Sequence, residues 1–404
     1  MGKKALSGVK VVEYANNIGA PYCSKLMADM GAEVIKIEKP VVGDEARRRG
    51  PFLGDVPHPE KSVIFCYVNS NKLSVTLDIE KPEGREIFKR LAGEADILIK
   101  EGLPEEFERL GLGYRDLKEI NPRLIMASFT PYGESGPYRN YKAYPLNLSH
   151  VCGIGNQYPL PSPDLSREPT KLGGNCQEYH PGVMAITAIL AALFWQRKTN
   201  KGQYIEMSLQ DMQLCFAKTE NAVYAVYGKT MTRMSENLQK FPLAVVPCKD
   251  GYVNTMILQD VEWGRFVELM GSPEWSKEEW TKSIMTRIPH MPMVNSHIVD
   301  WMKNQTKAEI VDKAQKARCP VGPVNTAKDI VESEQFHSRG FFAEVQHPVM
   351  GKFKFPGRPF LCSETPCSYE SPAPVLGQDN DMIYRERLGY GDADLARLKE
   401  KRII

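Results

Sequence analysis

Apolar residues near the start of the chain recur in two different periods, which predict a β-strand, a helix and a second β-strand. Residues 9–14 and 33–38 are rich in valine and isoleucine, as buried strands are. Between them, residues 20–30 carry apolar side chains at helical spacing, and Gly31 suits the C-cap of a helix. Because two strands joined by a helix pair in parallel, this stretch predicts a βαβ unit with a right-handed crossover.

The alternation of strand and helix patterns continues to residue 227. Further strands are predicted at residues 96–100, 124–129 and 204–207. Helices are predicted at residues 82–91, around Phe107 and Leu110, at residues 181–197 and at residues 209–227. Strands that alternate with helices in this way favour an α/β fold built on a doubly wound parallel sheet.

A change in composition after residue 228 predicts a second, smaller domain. Residues 229–330 hold four of the five tryptophans and combine a strand at residues 252–257 with mainly helical segments, which indicates an α+β domain. Residues 331–404 carry strand signals at residues 342–346 and 352–355 and many prolines and glycines. We expect this last segment to return to the large domain, which comprises residues 1–228.

The charge balance and the cysteine pattern narrow the possible functions. The 52 lysines and arginines nearly match the 50 aspartates and glutamates, which argues against nucleic acid as a partner. Nine cysteines occur without a C-x-x-C pair, and the seven histidines lack metal-binding spacing, so we expect a reduced, cytoplasmic protein without a metal. No apolar run approaches the roughly 20 residues that span a bilayer, so we expect no membrane partner.

The sequence motifs of common nucleotide-using and hydrolytic enzymes are incomplete or absent in this chain. Residues 228–230 end like a phosphate-binding loop, but Val223 stands where the first glycine belongs. Residues 153–155 begin like a dinucleotide fingerprint, but Tyr158 replaces the third glycine. No Gly-x-Ser-x-Gly elbow occurs. These departures disfavour ATP-driven ligation, hydride transfer and serine hydrolysis.

Several stretches, spread over nearly the whole chain, share their order and spacing with one known family. Near the N-terminus these are Gly19-Ala20-Pro21-Tyr22-Cys23 and residues 26–40, 43–44 and 69–78. The others are residues 95–99, 106–112, 132–138, 182–193, 201–211, 319–324 and 347–351. Together they resemble the class III CoA-transferase family, which includes formyl-CoA, carnitine and phenyllactate CoA-transferases and shares its fold with the alpha-methylacyl-CoA racemases. The resemblance implies a Rossmann-like large domain split in sequence, a smaller α+β domain, and a homodimer of two interlocked chains.

The resemblance also implies a catalytic carboxylate at Glu178. Members of the family carry an aspartate four residues before the glycine that opens an alanine-rich helix, and Gly182 is that glycine here. Glutamate is one methylene longer than the usual residue. Pro181 suits the first position of a helix, so we expect Glu178 just before a helix N-terminus, whose dipole would favour the ionised carboxylate. His180 is a possible helper acid or base.

Coenzyme A carries phosphates, so cations must face it. The resemblance places the turn at Asn17 and Ile18 against the thioester end of the ligand. Glu101-Gly102 stand where the family frequently has an aromatic or asparagine pair. No permanently bound cofactor is implied, because the CoA thioester is itself the substrate. The cations suggested by the resemblance are Lys39, Lys72, Arg109 and Lys142.

The resemblance therefore implies an enzyme that moves CoA from an acyl-CoA thioester to a free carboxylic acid. The expected intermediates are a mixed anhydride and a glutamyl-CoA thioester on Glu178. Two alternatives stay open, a CoA-ester racemase or isomerase of the same fold and a non-catalytic CoA-ester binding homologue. Ala143-Tyr144 stand where the racemases place a histidine and its neighbour, which disfavours racemization. Glutamate in place of aspartate favours the non-catalytic alternative.

Overall fold

The structure is a computed structural model that describes residues 4–159, 164–216, 218–231, 233 and 243–404. The chain divides into two compact units. The first unit comprises residues 1–155, 171–229 and 338–404, and the second comprises residues 156–170 and 230–337. The division of the chain into independent domains at the boundaries expected from the sequence stays a prediction.

A six-stranded parallel sheet forms the centre of the first unit. Its strands are β1 (Lys10–Tyr14), β2 (Glu33–Glu38), β3 (Leu73–Thr76), β4 (Ile97–Glu101), β5 (Ile125–Thr130) and β6 (Tyr204–Ser208). They lie in the order β3-β2-β1-β4-β5-β6, so the direction in which the chain adds strands reverses between β1 and β4. The parallel α/β sheet expected from the sequence is confirmed. Strand β3 was not predicted, because its four residues offer only two apolar positions, Leu73 and Val75, which are too few to distinguish a strand from a loop.

Helices cover both faces of this sheet. They are α1 (Gly19–Asp29), α2 (Val63–Val68), α3 (Pro82–Glu94), α4 (Pro104–Arg109), α5 (Tyr114–Ile120), α6 (Pro145–Val151), α7 (Cys176–Thr199), α8 (Leu209–Leu214) and α9 (Lys218–Tyr227). Successive strand residues point to opposite faces, and both faces are apolar. Val11 belongs to the cluster that contains Met27 of α1 and Ile189 of α7. Its neighbour Val12 belongs to the cluster that contains Phe88 of α3.

Two helix predictions differ from the structure. Helix α7 begins at Cys176 rather than at Pro181, so Glu178 lies within its first turn rather than before it. Pro181 has no N–H to donate to the carbonyl of Gln177, and the side-chain amide of Gln213 donates to that carbonyl instead, at 3.1 Å. The helix predicted over residues 209–227 is two helices, α8 and α9, because the chain turns at residues 215–216, a break that apolar spacing does not encode.

The second unit contains an antiparallel sheet in the order β7-β8-β9. These strands are β7 (Leu243–Cys248), β8 (Gly251–Met256) and β9 (Val321–Pro323). The helices are α10 (Asp260–Leu269), α11 (Ile284–Arg287), α12 (Met291–Met302), α13 (Lys307–Lys316), α14 (Ala327–Val331) and α15 (Glu334–Ser338). Trp263 and Phe266 of α10 are buried in its core with Ile298 and Ile310.

The C-terminal segment covers the β3 edge of the parallel sheet. It contains an antiparallel hairpin of β10 (Phe342–His347) and β11 (Gly351–Pro356), a π-helical turn (Asp381–Arg387) and helix α16 (Asp392–Glu400). The side chains of Asp379 and Asn380 accept hydrogen bonds from the backbone N–H groups of Ser74 and Thr76, at 2.7 and 2.9 Å. The tail thus satisfies donors that an edge strand would otherwise leave open. Within the described residues, no helix is long and apolar enough to cross a membrane.

Candidate active site

The carboxyl ends of β1 and β4 lie side by side at the point where the strand order reverses. In open parallel sheets, ligands bind in the crevice outside such a point. Two asparagines, Asn16 and Asn17, follow β1, and Glu101 ends β4. The carboxylate of Glu101 accepts a hydrogen bond from the N–H of Asn16 at 2.9 Å. Burial raises the pKa of Glu101 to about 7.

Asn17 forms a turn that leads from β1 into α1. Its φ is 64°, a left-handed conformation that asparagine tolerates better than most residues. The N–H of Asn17 donates to Asp44 at 2.9 Å, and its side-chain amide donates to Glu45 at 2.9 Å. The amide oxygen accepts a hydrogen bond from Arg49 at 3.1 Å. Three hydrogen bonds therefore connect the turn to residues 44–49.

A buried network of charged side chains extends to Asp44, which binds this turn. Glu13 pairs with Lys36 at 2.7 Å and with Lys72 at 2.8 Å, and Lys36 also pairs with Asp44 at 2.7 Å. Burial opposes the ionisation of Glu13, but the two lysines outweigh it and lower its pKa to about 2. Since Asp44 also accepts the N–H of Asn17, the network determines where the turn lies.

Glu178 forms a two-pronged ion pair with Arg49. Arg49 Nη1 lies 2.7 Å from Glu178 Oε1, and Nη2 lies 3.1 Å from Oε2. The side chain of Glu178 is 12% exposed and that of Arg49 is 31% exposed, so solvent has partial access to the pair. The hydrogen bonds to Glu178 raise the pKa of Arg49. Such planar pairing is the strongest geometry that a guanidinium offers a carboxylate.

Arg49 was not among the site residues predicted from the sequence. It is the last of three consecutive arginines, and the run itself was the available signal. A 3-10 turn over residues 45–48, capped by Asp44, separates the three side chains. Arg47 is buried against Glu38 and Glu60, and Arg48 donates to the carbonyl of Val42. Arg49 follows in extended backbone and reaches Glu178.

Helices α1 and α7 meet at two glycines beside the ion pair. A Cβ atom on Gly182 would lie 2.6 Å from the carbonyl oxygen of Gly19, and one on Gly19 would lie 3.3 Å from the carbonyl oxygen of Glu178. The absence of side chains at these positions therefore permits the close approach. It brings the first turn of α7, with Glu178, against the start of α1 at Gly19, two residues after Asn17.

The structure brings some of the predicted site residues together. Asn17 and Glu178 contact the same guanidinium, that of Arg49. Ile18 directly follows Asn17 in the sequence, but its side chain has no exposed surface. His180 lies on α7 with its ring 4.7 Å from that of Phe216. Their roles toward a ligand stay predictions.

The predicted phosphate-binding cations differ in their exposure and in their hydrogen-bond partners. Lys39 follows β2 and Lys142 follows β5, and both are exposed. Arg109 is exposed at the end of α4 and pairs with Glu80 at 3.1 Å. Lys72 has no exposed side chain, and its ammonium donates to Glu13, to the carbonyl of Pro21 and to Asn69, each at 2.8 Å. All three donors of Lys72 are thus used inside the protein, which does not support contact with a ligand.

Comparisons with known proteins point to one family. The family model described as CoA-transferase family III matches residues 6–380. The succinyl-CoA–L-malate CoA-transferase beta subunit of Chloroflexus aurantiacus is 30% identical over 405 residues, which cover 99% of this chain and 98% of that protein. The succinate–glutarate CoA-transferase of Agrobacterium fabrum is 28% identical over 387 residues, covering 95% and 96% of the two chains. A solved structure of a CAIB/BAIF family protein from Brucella suis matches with a TM-score of 0.84 at 30% identity, covering 95% of this chain and 99% of that one.

Proposed function

The chain belongs to CoA-transferase family III, and on that premise we propose that Glu178 carries the covalent intermediates of its reaction. The membership confirms the family and the class of enzyme expected from the sequence, one that moves CoA between an acyl-CoA and a carboxylate. The observation that supports Glu178 is its two-pronged contact with Arg49 beside the Asn17 turn, at the position that the family resemblance implies. Glu178 also lies in the first turn of α7, where the positive end of the helix dipole attracts a negative charge.

The proposed reaction needs neither an oxidant nor an external energy source. A carboxylate oxygen of Glu178 attacks the thioester carbonyl, the carbon–sulfur bond breaks, and CoA leaves as a thiolate. The thiolate then attacks the side-chain carbonyl carbon of Glu178 in this mixed anhydride. The bond from that carbon to the bridging oxygen breaks, and the donor acid leaves as its carboxylate. The acceptor carboxylate runs the same steps in reverse on the glutamyl-CoA thioester.

Coenzyme A would extend along the carboxyl edge of the sheet. We place its thioester end at Asn17 and the backbone of Ile18, because this turn is the part of the edge nearest Glu178 in the hydrogen-bond network. Lys39 and Lys142 are exposed in the segments that follow β2 and β5 at the same edge, which suits them to the phosphates. Arg109 would first have to exchange its partner Glu80 for a phosphate. His180 stays the candidate helper acid or base.

The enzyme is further proposed to act as an interlocked homodimer. Large apolar side chains are exposed on helices of the first unit, where water is an unfavourable neighbour. On α7 they are Val183, Phe194 and Trp195, and on α9 they are Tyr224 and Tyr227. Light scattering of the purified chain should give twice the monomer mass. A monomer at micromolar concentration would contradict the dimer without affecting the role of Glu178.

The role of Glu178 can be tested by trapping the thioester. The protein is incubated with succinyl-CoA or glutaryl-CoA and then with hydroxylamine, and the modified residue is mapped by mass spectrometry. We expect a hydroxamate on Glu178 in the wild type and in a control variant, Glu119→Gln, whose glutamate is exposed on α5. Glu178→Ala should show no hydroxamate and no CoA transfer.

Other outcomes would favour the alternatives. Full CoA transfer by Glu178→Ala would remove Glu178 from the mechanism. Rapid uptake of deuterium at the α-carbon of the acyl group, without exchange of CoA between acids, would favour a racemase. Tight binding of acyl-CoA with neither reaction would favour a non-catalytic binding protein.

A further inference from the structure

The geometry points to Arg49 as the residue that binds the carboxylate of the departing and the entering acid, an assignment that rests on the proposed role of Glu178. In the free enzyme the guanidinium of Arg49 and the carboxylate of Glu178 neutralise each other. The reaction cycle changes this balance of charge, because Glu178 becomes covalently modified and Arg49 does not.

Formation of the thioester removes the negative charge of Glu178. A mixed-anhydride or thioester carbonyl is a weaker acceptor than a carboxylate, and it cannot offer two equivalent oxygens to a guanidinium. Arg49 remains charged, because a guanidinium does not lose its proton in proteins. It keeps the neutral amide oxygen of Asn17 as an acceptor, at 3.1 Å. The thioester enzyme therefore holds a cation, which is already 31% exposed in the free enzyme, without the carboxylate that it had before.

A substrate carboxylate is the group that can restore this pairing. The oxygen of the donor acid that leaves Glu178 was bonded to the side-chain carbon of Glu178, so its negative charge appears next to the atoms that Arg49 contacts. The entering acid must bring its carboxylate to the same carbon. A planar guanidinium can bind either carboxylate with two parallel hydrogen bonds, as it binds Glu178 in the free enzyme.

The backbone of Arg49 is held firmly enough to present its side chain to an exchanging partner. Its N–H donates to the carbonyl of Ala46 at 3.1 Å, and its carbonyl accepts the hydroxyl of Ser62 at 2.7 Å. The neighbouring arginines are engaged elsewhere. Arg47 is buried between Glu38 and Glu60, and Arg48 donates to a backbone carbonyl. Among the three, Arg49 is the one whose guanidinium contacts Glu178.

The test separates the two halves of the reaction. Wild type, Arg49→Gln, Arg49→Lys and the control Arg48→Gln are each loaded with succinyl-CoA, and the glutamyl-CoA thioester is isolated by desalting and measured by intact mass. It is then discharged with succinate, the acid that came off during loading, or with hydroxylamine, a neutral nucleophile. Because succinate left the same site, the reverse reaction must accept it, so no knowledge of the natural acceptor is needed.

Arg49→Gln should discharge with succinate about 10- to 100-fold more slowly than the wild type at low succinate, as expected for the loss of hydrogen bonds to a charged group. Its KM for succinate should rise, and its discharge by hydroxylamine should stay within about twofold of the wild type. Arg49→Lys should lie between the two, because it keeps the charge but not the planar fork. Arg48→Gln should behave as the wild type does. Circular dichroism confirms that each variant is folded.

Three results would overturn the assignment. Equal slowing with succinate and with hydroxylamine would show that Arg49 acts by positioning Glu178. Discharge by succinate at the wild-type rate would show that Arg49 does not bind the acid. A folded Arg49→Gln that forms neither the mixed anhydride nor the thioester, as measured by intact mass, would assign Arg49 to the attack by Glu178. If the wild type forms no thioester with succinyl-CoA or glutaryl-CoA, the proposed function itself fails, before any acid is added, and this inference fails with it.

Discussion

Replacement of Gly182 by alanine tests whether the contact between α1 and α7 holds the site together. The new Cβ atom would lie 2.6 Å from the carbonyl oxygen of Gly19 and 3.3 Å from the ring carbon Cδ1 of Tyr22. The ring can rotate slightly, but the carbonyl oxygen belongs to the first residue of α1 and moves only with the backbone. The two helices must therefore separate at this point.

The expected loss of stability is the difference between two effects. Alanine stabilises the interior of a helix by about 1 kcal/mol relative to glycine. Overpacking of a close contact costs typically about 1–3 kcal/mol, and a contact with backbone belongs at the upper end of that range. The free energy of unfolding should thus fall by about 2 kcal/mol, which corresponds to a Tm lower by about 4–8 °C for a large domain. Because Glu178 and Asn17 lie beside this contact, thioester formation should also slow.

Thermal unfolding followed by circular dichroism measures the stability, and loading with succinyl-CoA measures the site. Gly264→Ala is the matched control, because Gly264 lies in the middle of α10 with no atom within 4 Å of its added Cβ. This control should be stabilised by about 0.5–1 kcal/mol and should load normally. If Gly182→Ala were as stable as Gly264→Ala, or loaded at the wild-type rate despite its lower Tm, the reasoning about this contact would be refuted.

The remaining predictions concern buried charges near the site. Lys72→Met leaves Glu13 with one lysine partner and should lower the free energy of unfolding by about 3 kcal/mol. The double variant that also carries Glu13→Gln should recover part of this loss. The control Lys39→Met, on the surface, should change the free energy of unfolding by less than about 0.5 kcal/mol. A large rise in KM for succinyl-CoA without loss of stability in Lys72→Met would instead favour contact with coenzyme A. Glu101 has a pKa raised by burial from 4.5 to about 7, so the folded protein binds its proton more tightly than the unfolded chain and loses stability as pH rises through that window. Glu101→Gln can still accept the N–H of Asn16, so in urea unfolding it should be more stable than wild type at pH 8 and differ less from it at pH 4. The same difference at both pH values would contradict the raised pKa of Glu101.

Much of the first unit follows from local patterns in the sequence. The valine and isoleucine runs at residues 9–14 and 33–38 predict strands because both faces of a parallel strand are apolar. The alternation with helical spacing then predicts the parallel sheet that is observed. The start of α7 could not be predicted in this way, because Pro181 reads locally as a helix start. Its actual place inside the helix depends on Gln213, which lies 32 residues further along the chain and satisfies the open carbonyl.

Local patterns in the sequence predicted five of the six strands of the parallel sheet, the family, and a carboxylate near a helix start, because these depend on spacing and composition along the chain. Tertiary structure alone decided which charges meet. Lys72 and Arg49 are both ordinary basic residues in the sequence, yet one lies in a buried network below the sheet edge and the other contacts Glu178. Coulomb energy and hydrogen bonding depend on distances between atoms. The two partners are 59 positions apart in the chain for the Lys72–Glu13 pair and 129 positions apart for the Arg49–Glu178 pair. No local pattern contains that information.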